Sequence, residues 1–85
     1  MKKLKRVKVS WQDITSDFSW QEDIQEVIKD FKKDICESFG YVIYEDKDIL
    51  VIAPDIIWRD KEIDRFSYQI IPKKPIKEIV VLPPN

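Results

Sequence analysis

The hydrophobic positions of this chain change period as they run from one end to the other. Residues 4–11, LKRVKVSW, alternate, with Val7, Val9 and Trp11 on one side and Arg6, Lys8 and Ser10 on the other. That pattern predicts a half-buried strand. The period then lengthens. In SWQEDIQEVIKDFKKDI, residues 19–35, the apolar positions Ile24, Val27, Ile28, Phe31 and Ile35 follow i, i+3, i+4, i+7, i+11. This is one helical face and predicts an amphipathic helix over about residues 20–35. Ser19 and Glu22 match a capping box, acids lead, and Lys29, Lys32 and Lys33 trail, as the helix dipole favours. A helix with one apolar face is expected to bury it against a sheet or across a sheet's open end.

Beyond residue 35 the pattern returns to strands. ESFGYVIYE and DILVIAPDIIW, joined by the polar EDKD, predict a hairpin, with Pro54 marking a bend or strand edge. After the charged turn RDKEID, RFSYQII predicts a fourth strand with Phe66, Tyr68 and Ile70 on one face and Ser67 and Gln69 opposite. PKKPIK then predicts a single helical turn, and EIVVL a short last strand. The fold class is mainly β. This order resembles the SH3-like and Sm-like small barrels: five strands, one amphipathic helix inserted after the first, and one domain over residues 1–85. Such a barrel needs one strand bent sharply enough to serve both halves of the sheet, and Gly40, the only glycine, predicts that bend. Cys36, the only cysteine, reads as a small buried residue. A reactive thiol wants a cationic neighbour, and the neighbour here is Glu37.

A second resemblance covers most of the chain. VKVSWQDI, the tryptophan at the helix start, CESFGYVIYEDKDILVIAP and IIPKKPIKEI resemble a group of short proteins of bacteriophage and prophage genomes. Those proteins carry a V-x-V-x-W-x-D opening, a C-x-S-x-G-aromatic segment before an acidic hairpin, and an Ile-Pro before the last strand. The matching positions are Val7, Val9, Trp11, Asp13, Cys36, Ser38, Gly40, Tyr41, Ile71 and Pro72. The resemblance implies a setting, the cytoplasm of a host, rather than a mechanism.

Composition narrows the chemistry. The 85 residues include no histidine, one cysteine and one glycine. Without histidine there is no His-based general base, no Ser-His or Cys-His pair and no tetrahedral zinc set, and a single glycine cannot form a phosphate-binding loop. A single cysteine rules out an internal disulfide, and no apolar run has signal-peptide or membrane-spanning length. A cytoplasmic, membrane-free protein is therefore expected. The acidic groups Asp13 with Asp17, and Glu45, Asp46 and Asp48, lack the ordered spacing and turn glycine of a calcium loop and read as solvated loops. The chain is read as a non-enzyme with no metal and no cofactor.

Charge supplies the one pointer to a ligand. Residues 1–12 carry a net +5, residues 13–64 a net −9 and residues 65–85 a net +3. If the first and last strands lie side by side, Lys5, Arg6, Lys8, Arg65, Lys73, Lys74 and Lys77 build a basic face suited to the phosphates of a nucleotide or RNA. Trp11 falls on the core phase of its strand. Trp20, and Trp58 beside Arg59, sit at element ends, where such residues serve as anchors for a partner protein. The expected function is that of a non-catalytic small binding protein of phage origin. It would antagonise host defence in the host cytoplasm by sequestering a nucleotide-type signal or by blocking a host protein. The alternatives are an Sm-like oligomer that binds RNA and a structural virion or assembly component. Self-association into a homo-oligomer is expected because so small a barrel leaves much surface for its core.

Overall fold

In a computed structural model, which describes residues 3–12, 20 and 22–83, the alternation of the first segment is realised as strand β1 (Arg6–Trp11). Val7 and Val9 are fully buried on one side of it, and Arg6, Lys8 and Ser10 remain partly exposed on the other. The helix α1 (Ile24–Lys33) follows, then β2 (Cys36–Glu45), β3 (Ile49–Ala53), β4 (Ile56–Arg59), β5 (Glu62–Phe66), β6 (Gln69–Pro72) and β7 (Ile76–Val81). The chain is thus mainly β, with seven strands in antiparallel sheets in place of the expected five, and one helix. The larger sheet has the order β6-β3-β2-β1-β7, and β4 and β5 form a sheet of their own. The larger sheet is open. Its outer strands β6 and β7 do not pair with each other and are joined by a tight turn in place of the expected helical one, closed by the Ile76 N–H donating to the Lys73 carbonyl at 3.1 Å.

Ten-residue β2 serves two neighbours. Its first half pairs with β1, from Trp11 opposite Cys36 to Arg6 opposite Tyr41, and its second half pairs with β3, from Tyr41 opposite Ala53 to Glu45 opposite Leu50. Gly40 sits at the handover. A Cβ built there would lie 2.9 Å from both the carbonyl carbon and the oxygen of Ala53, so glycine is what lets β3 come this close. The core that results is Val7, Val9, Leu50, Ile52 and Ile71, with Trp11, Val42 and Ile76 packed against it. Trp11 lies on the inner side, as its phase predicts, and its indole N–H is satisfied by Ser38 Oγ at 3.0 Å. Cys36, expected to be buried, is half-buried opposite Trp11, because this row is the last of the β1–β2 ladder.

The two additional strands come from the segment 56–66. Proline cannot donate to a ladder, so Pro54 ends β3, and the chain beyond it folds back on itself. Asp60 and Lys61 take left-handed φ values of 52° and 68°, the pattern of a two-residue hairpin turn whose twist matches the strands it joins. The expected fourth strand, RFSYQII, is cut in two at Ser67. The Ser67 N–H donates to the Asp55 carbonyl and Ser67 Oγ accepts from the Asp55 N–H, both at 3.0 Å, which closes the base of the hairpin. The break reverses the phase. Ile71 is buried, and Phe66, Tyr68 and Ile70, expected to face inward, are half or more exposed.

The helix differs from expectation in extent, cap and packing. It spans ten residues rather than 20–35, and its N-cap is Asp23, whose Oδ1 accepts the Gln25 N–H at 2.9 Å. Of the expected capping box, Ser19 lies outside the described residues and Glu22 precedes the cap. None of the helical residues is buried, and no strand packs along the helix. Both connections of α1 leave the sheet at its Trp11–Cys36 end. Its described tie is a side-chain bond, Gln12 Nε2–H to the Phe31 carbonyl at 2.6 Å.

Two substitutions test this backbone account. Gly40→Ala should destabilise the fold by about 1–3 kcal/mol, since the methyl group meets backbone that cannot swing away. Lys61→Gly should instead add roughly 0.5–1 kcal/mol by relieving a left-handed lysine. Urea denaturation of each variant reads both effects, and an unaffected Gly40→Ala protein would remove the close approach from the explanation.

Candidate functional site

The basic residues singled out by sequence occupy four separate places. Arg6 and Lys8 lie on the outer face of β1. Lys8 stands between Phe39 and Val80, and Arg6 is opposite Tyr41, with its carbonyl accepting the Leu82 N–H. Lys77 lies at a β7 irregularity, between Ile76 opposite Trp11 and Glu78 opposite Ser10. Along β1 that is roughly 13–17 Å from Arg6 at the usual strand rise. Lys73 and Lys74 sit in the β6–β7 turn, and Arg65 belongs to the separate β4–β5 sheet. The first and last strands are neighbours as expected, with Arg6 and Lys77 towards opposite ends of their ladder.

Acidic neighbours hold several of these cations. Lys8 Nζ is 3.4 Å from Glu37, Lys73 Nζ 2.7 Å from Glu45, and Arg65 Nε 3.6 Å from Asp64, which also pairs with Arg59 at 3.5 Å. These surface pairs contribute little to stability. What they do is satisfy cations that a phosphate would otherwise recruit. Arg6 reaches the Pro83 carbonyl at 3.5 Å, and its Nε is shielded from solvent with no hydrogen-bond partner among the described residues.

The aromatic candidates have different surroundings. Trp20 is 99% exposed. Trp58 lies opposite Ile63 in the β4–β5 hairpin, in phase with the Ile56–Phe66 pair, and the Tyr68 ring stands edge-on to Phe66 at 6.5 Å. The register slips by one residue between Ile57 and Trp58, leaving Asp64 as the unpaired residue between Ile63 and Arg65; its carboxylate bonds Arg59 and Arg65, away from Trp58. The hairpin is therefore amphipathic, apolar on the Trp58 side and charged on the Arg59 side. Sequence reasoning took RDKEID as a turn and missed this surface. The available signal was the i, i+2 pair Ile56 and Trp58 followed by Ile63 and Phe66 across a charged pair.

Of the carboxylates Glu45, Asp46 and Asp48, it is that of Asp46 that closes the β2–β3 turn. Asp46 Oδ1 accepts the N–H groups of Asp48 (2.8 Å) and Ile49 (2.9 Å), and Oδ2 accepts the Tyr44 hydroxyl at 2.9 Å. The Ile49 N–H, then the Asp48 N–H and the Tyr44 hydroxyl, hold the Asp46 carboxyl below its ordinary range. The same Asp46 bond and its charge raise the Tyr44 phenol. Asp13 and Asp17 lie outside the described residues. Among the described residues no three acidic or cysteine side chains gather as a metal site, and no helix is long and apolar enough to cross a membrane. Compared with models of known protein families, with curated proteins and with solved structures, the chain matches none.

The turn has a pH signature. Asp46 titrates lower in the folded chain than in the unfolded one, so its contribution is present above pH ~4 and is lost as pH falls through its folded value. Tyr44 titrates higher when folded, so its contribution is lost as pH rises past about 10. Asp46→Asn keeps an oxygen for the two N–H groups and removes the titration. Its denaturation midpoint should fall less steeply between about pH 5 and 2 than that of the parent chain. Parallel acid limbs would show that the carboxylate does not hold this turn.

Proposed function

We propose that the chain is a non-catalytic protein-binding module, and that it works by covering a protein surface rather than by sequestering a nucleotide. The observation that carries this reading is the contrast between its two kinds of surface. Lys8, Lys73, Arg59 and Arg65 face carboxylates, whereas large apolar side chains from Trp20 to Val81 stand uncovered. Exposed apolar area beyond what a monomer normally shows marks an interaction site. The shifted titratable groups Tyr44 and Asp46 serve a turn, which supports binding over catalysis.

The strand order β6-β3-β2-β1-β7 supports a finer reading of the fold as an opened SH3-like barrel, with the β4–β5 hairpin inserted before its fourth strand. Together with the resemblance to phage proteins, this suggests an antagonist acting on a host protein in the host cytoplasm. The Sm-like strand order keeps RNA as the second reading.

Calorimetry at physiological salt separates the two. Mononucleotides, cyclic dinucleotides and a short single-stranded RNA should give no heat of binding at tens of micromolar protein. Binding of any of them that weakens by about tenfold or more in the Arg6→Gln, Lys73→Gln, Lys74→Gln triple variant would overturn the protein-binding reading.

A further inference from the structure

Two apolar surfaces of the protomer are only partly covered by the described residues. The first is the α1 stripe of Ile24, Val27, Ile28 and Phe31, continued by Ile35, every one of them more than a third exposed. The second is the apolar side of the β4–β5 hairpin, where Ile56 and Ile63 are half-buried and Trp58 and Phe66 are exposed, with Tyr68 at its margin. Two strands alone are marginal in water and need a third strand or a helix laid on them. A ten-residue helix with one apolar stripe is equally short of a partner. The lengths agree, since the helix is about 15 Å long and strands of four or five residues run about 13–17 Å.

Within one chain the two surfaces are far apart. The helix leaves the sheet at the Trp11–Cys36 row, and the hairpin follows Ala53, which shares the row of Tyr41 and Arg6 at the other end of β1. The protomer is correspondingly long, 57 × 24 × 23 Å with a radius of gyration of 16.5 Å, against about 12 Å for a compact domain of this length. Its accessible surface is 7221 Å², whereas a compact 10.2 kDa monomer exposes about 5,300 Å².

We propose that the chain forms a two-fold dimer in which α1 of each copy lies across the apolar face of the other copy's β4–β5 hairpin. The exchange covers all four surfaces with two identical helix-on-sheet contacts, and two-fold symmetry closes the assembly. The area fits a second copy. The excess of roughly 1,900 Å² per chain lies within the ~1,000–2,500 Å² that each subunit of an obligate dimer gives up. Pairing α1 with its own copy would leave both hairpins bare, and pairing the hairpins would leave both helices bare. The dimer rests on the reading that these faces take protein. It is tested separately, because nucleotide binding is read by heat and dimerisation by mass.

Sedimentation equilibrium of the purified chain at tens of micromolar should give twice 10.2 kDa. Phe31→Ser and Trp58→Ser, both at exposed positions, should each weaken the dimer by at least about tenfold while far-UV circular dichroism retains the strand signal. The decisive arm mixes the two variants. A heterodimer pairs the intact helix of the Trp58→Ser chain with the intact hairpin of the Phe31→Ser chain, so it should be tighter than either variant homodimer by about tenfold. In a Cys36→Ser background, chains carrying Ile28→Cys should crosslink to chains carrying Ile63→Cys in preference to their own kind. A monomeric parent chain, even one that later pairs with a foreign protein, would overturn the proposal. So would a dimer whose two variants show no rescue on mixing.

Discussion

The close approach of β2 to the end of β3 is the constraint on which the larger sheet depends. β2 is the strand that belongs to both halves of the sheet, passing from β1 to β3 at Gly40, where the Ala53 backbone leaves no room for a Cβ. A side chain there would push β3 outward and carry β6 with it, because β6 pairs only with β3. Leu50, Ile52 and Ile71 would then lose their packing against Val7 and Val9. The core is small enough that no second layer exists to absorb such a shift.

The distribution of charge shows how a one-dimensional pattern can mislead. The basic ends and the acidic middle are segregated along the chain, yet β1 lies against β2, and the β6–β7 turn reaches the β2–β3 turn through the Lys73 N–H and the Asp48 carbonyl. Folding therefore interleaves the two signs. Segregation in sequence produced cross-strand pairing in space, because opposite charges on neighbouring segments attract as the strands come together. The ladder order that brings the termini together also delivers the carboxylates that answer them.

Legibility followed the range of the interactions involved. The alternation of Val7, Val9 and Trp11 and the helical spacing from Ile24 to Phe31 are local, and both elements are where that spacing puts them. The two strands flanking Asp60 and Lys61 were hidden because the charged run RDKEID reads as turn throughout, and the left-handed pair at its centre carries no glycine or asparagine to fix the turn at two residues. The Ser67 break was hidden for a different reason: its partner is Asp55, on the far side of the hairpin, and alternation across residues 65–71 gives no sign of it. What α1 packs on could not be read at all, since amphipathicity requires a partner without saying on which part of which chain it lies. The same limit applied to the basic residues, whose sequence positions do not reveal their carboxylate neighbours.

The place of β1 between β2 and β7 also decides how the chain must assemble. Val7 lies opposite both Gly40 and Val81, so the first strand of the fold is completed by the seventh. Strands β2, β3 and β6 are joined by shorter connections, and the tight Asp46 turn is the natural starting point for their pairing. β1 can pair with β2 on one edge, but its other edge stays open until β7 is in place. Such long-range closure makes for slow folding and a long-lived exposed edge. A chain truncated before Ile76 would therefore keep β1 as an uncovered edge, a template for pairing with another chain.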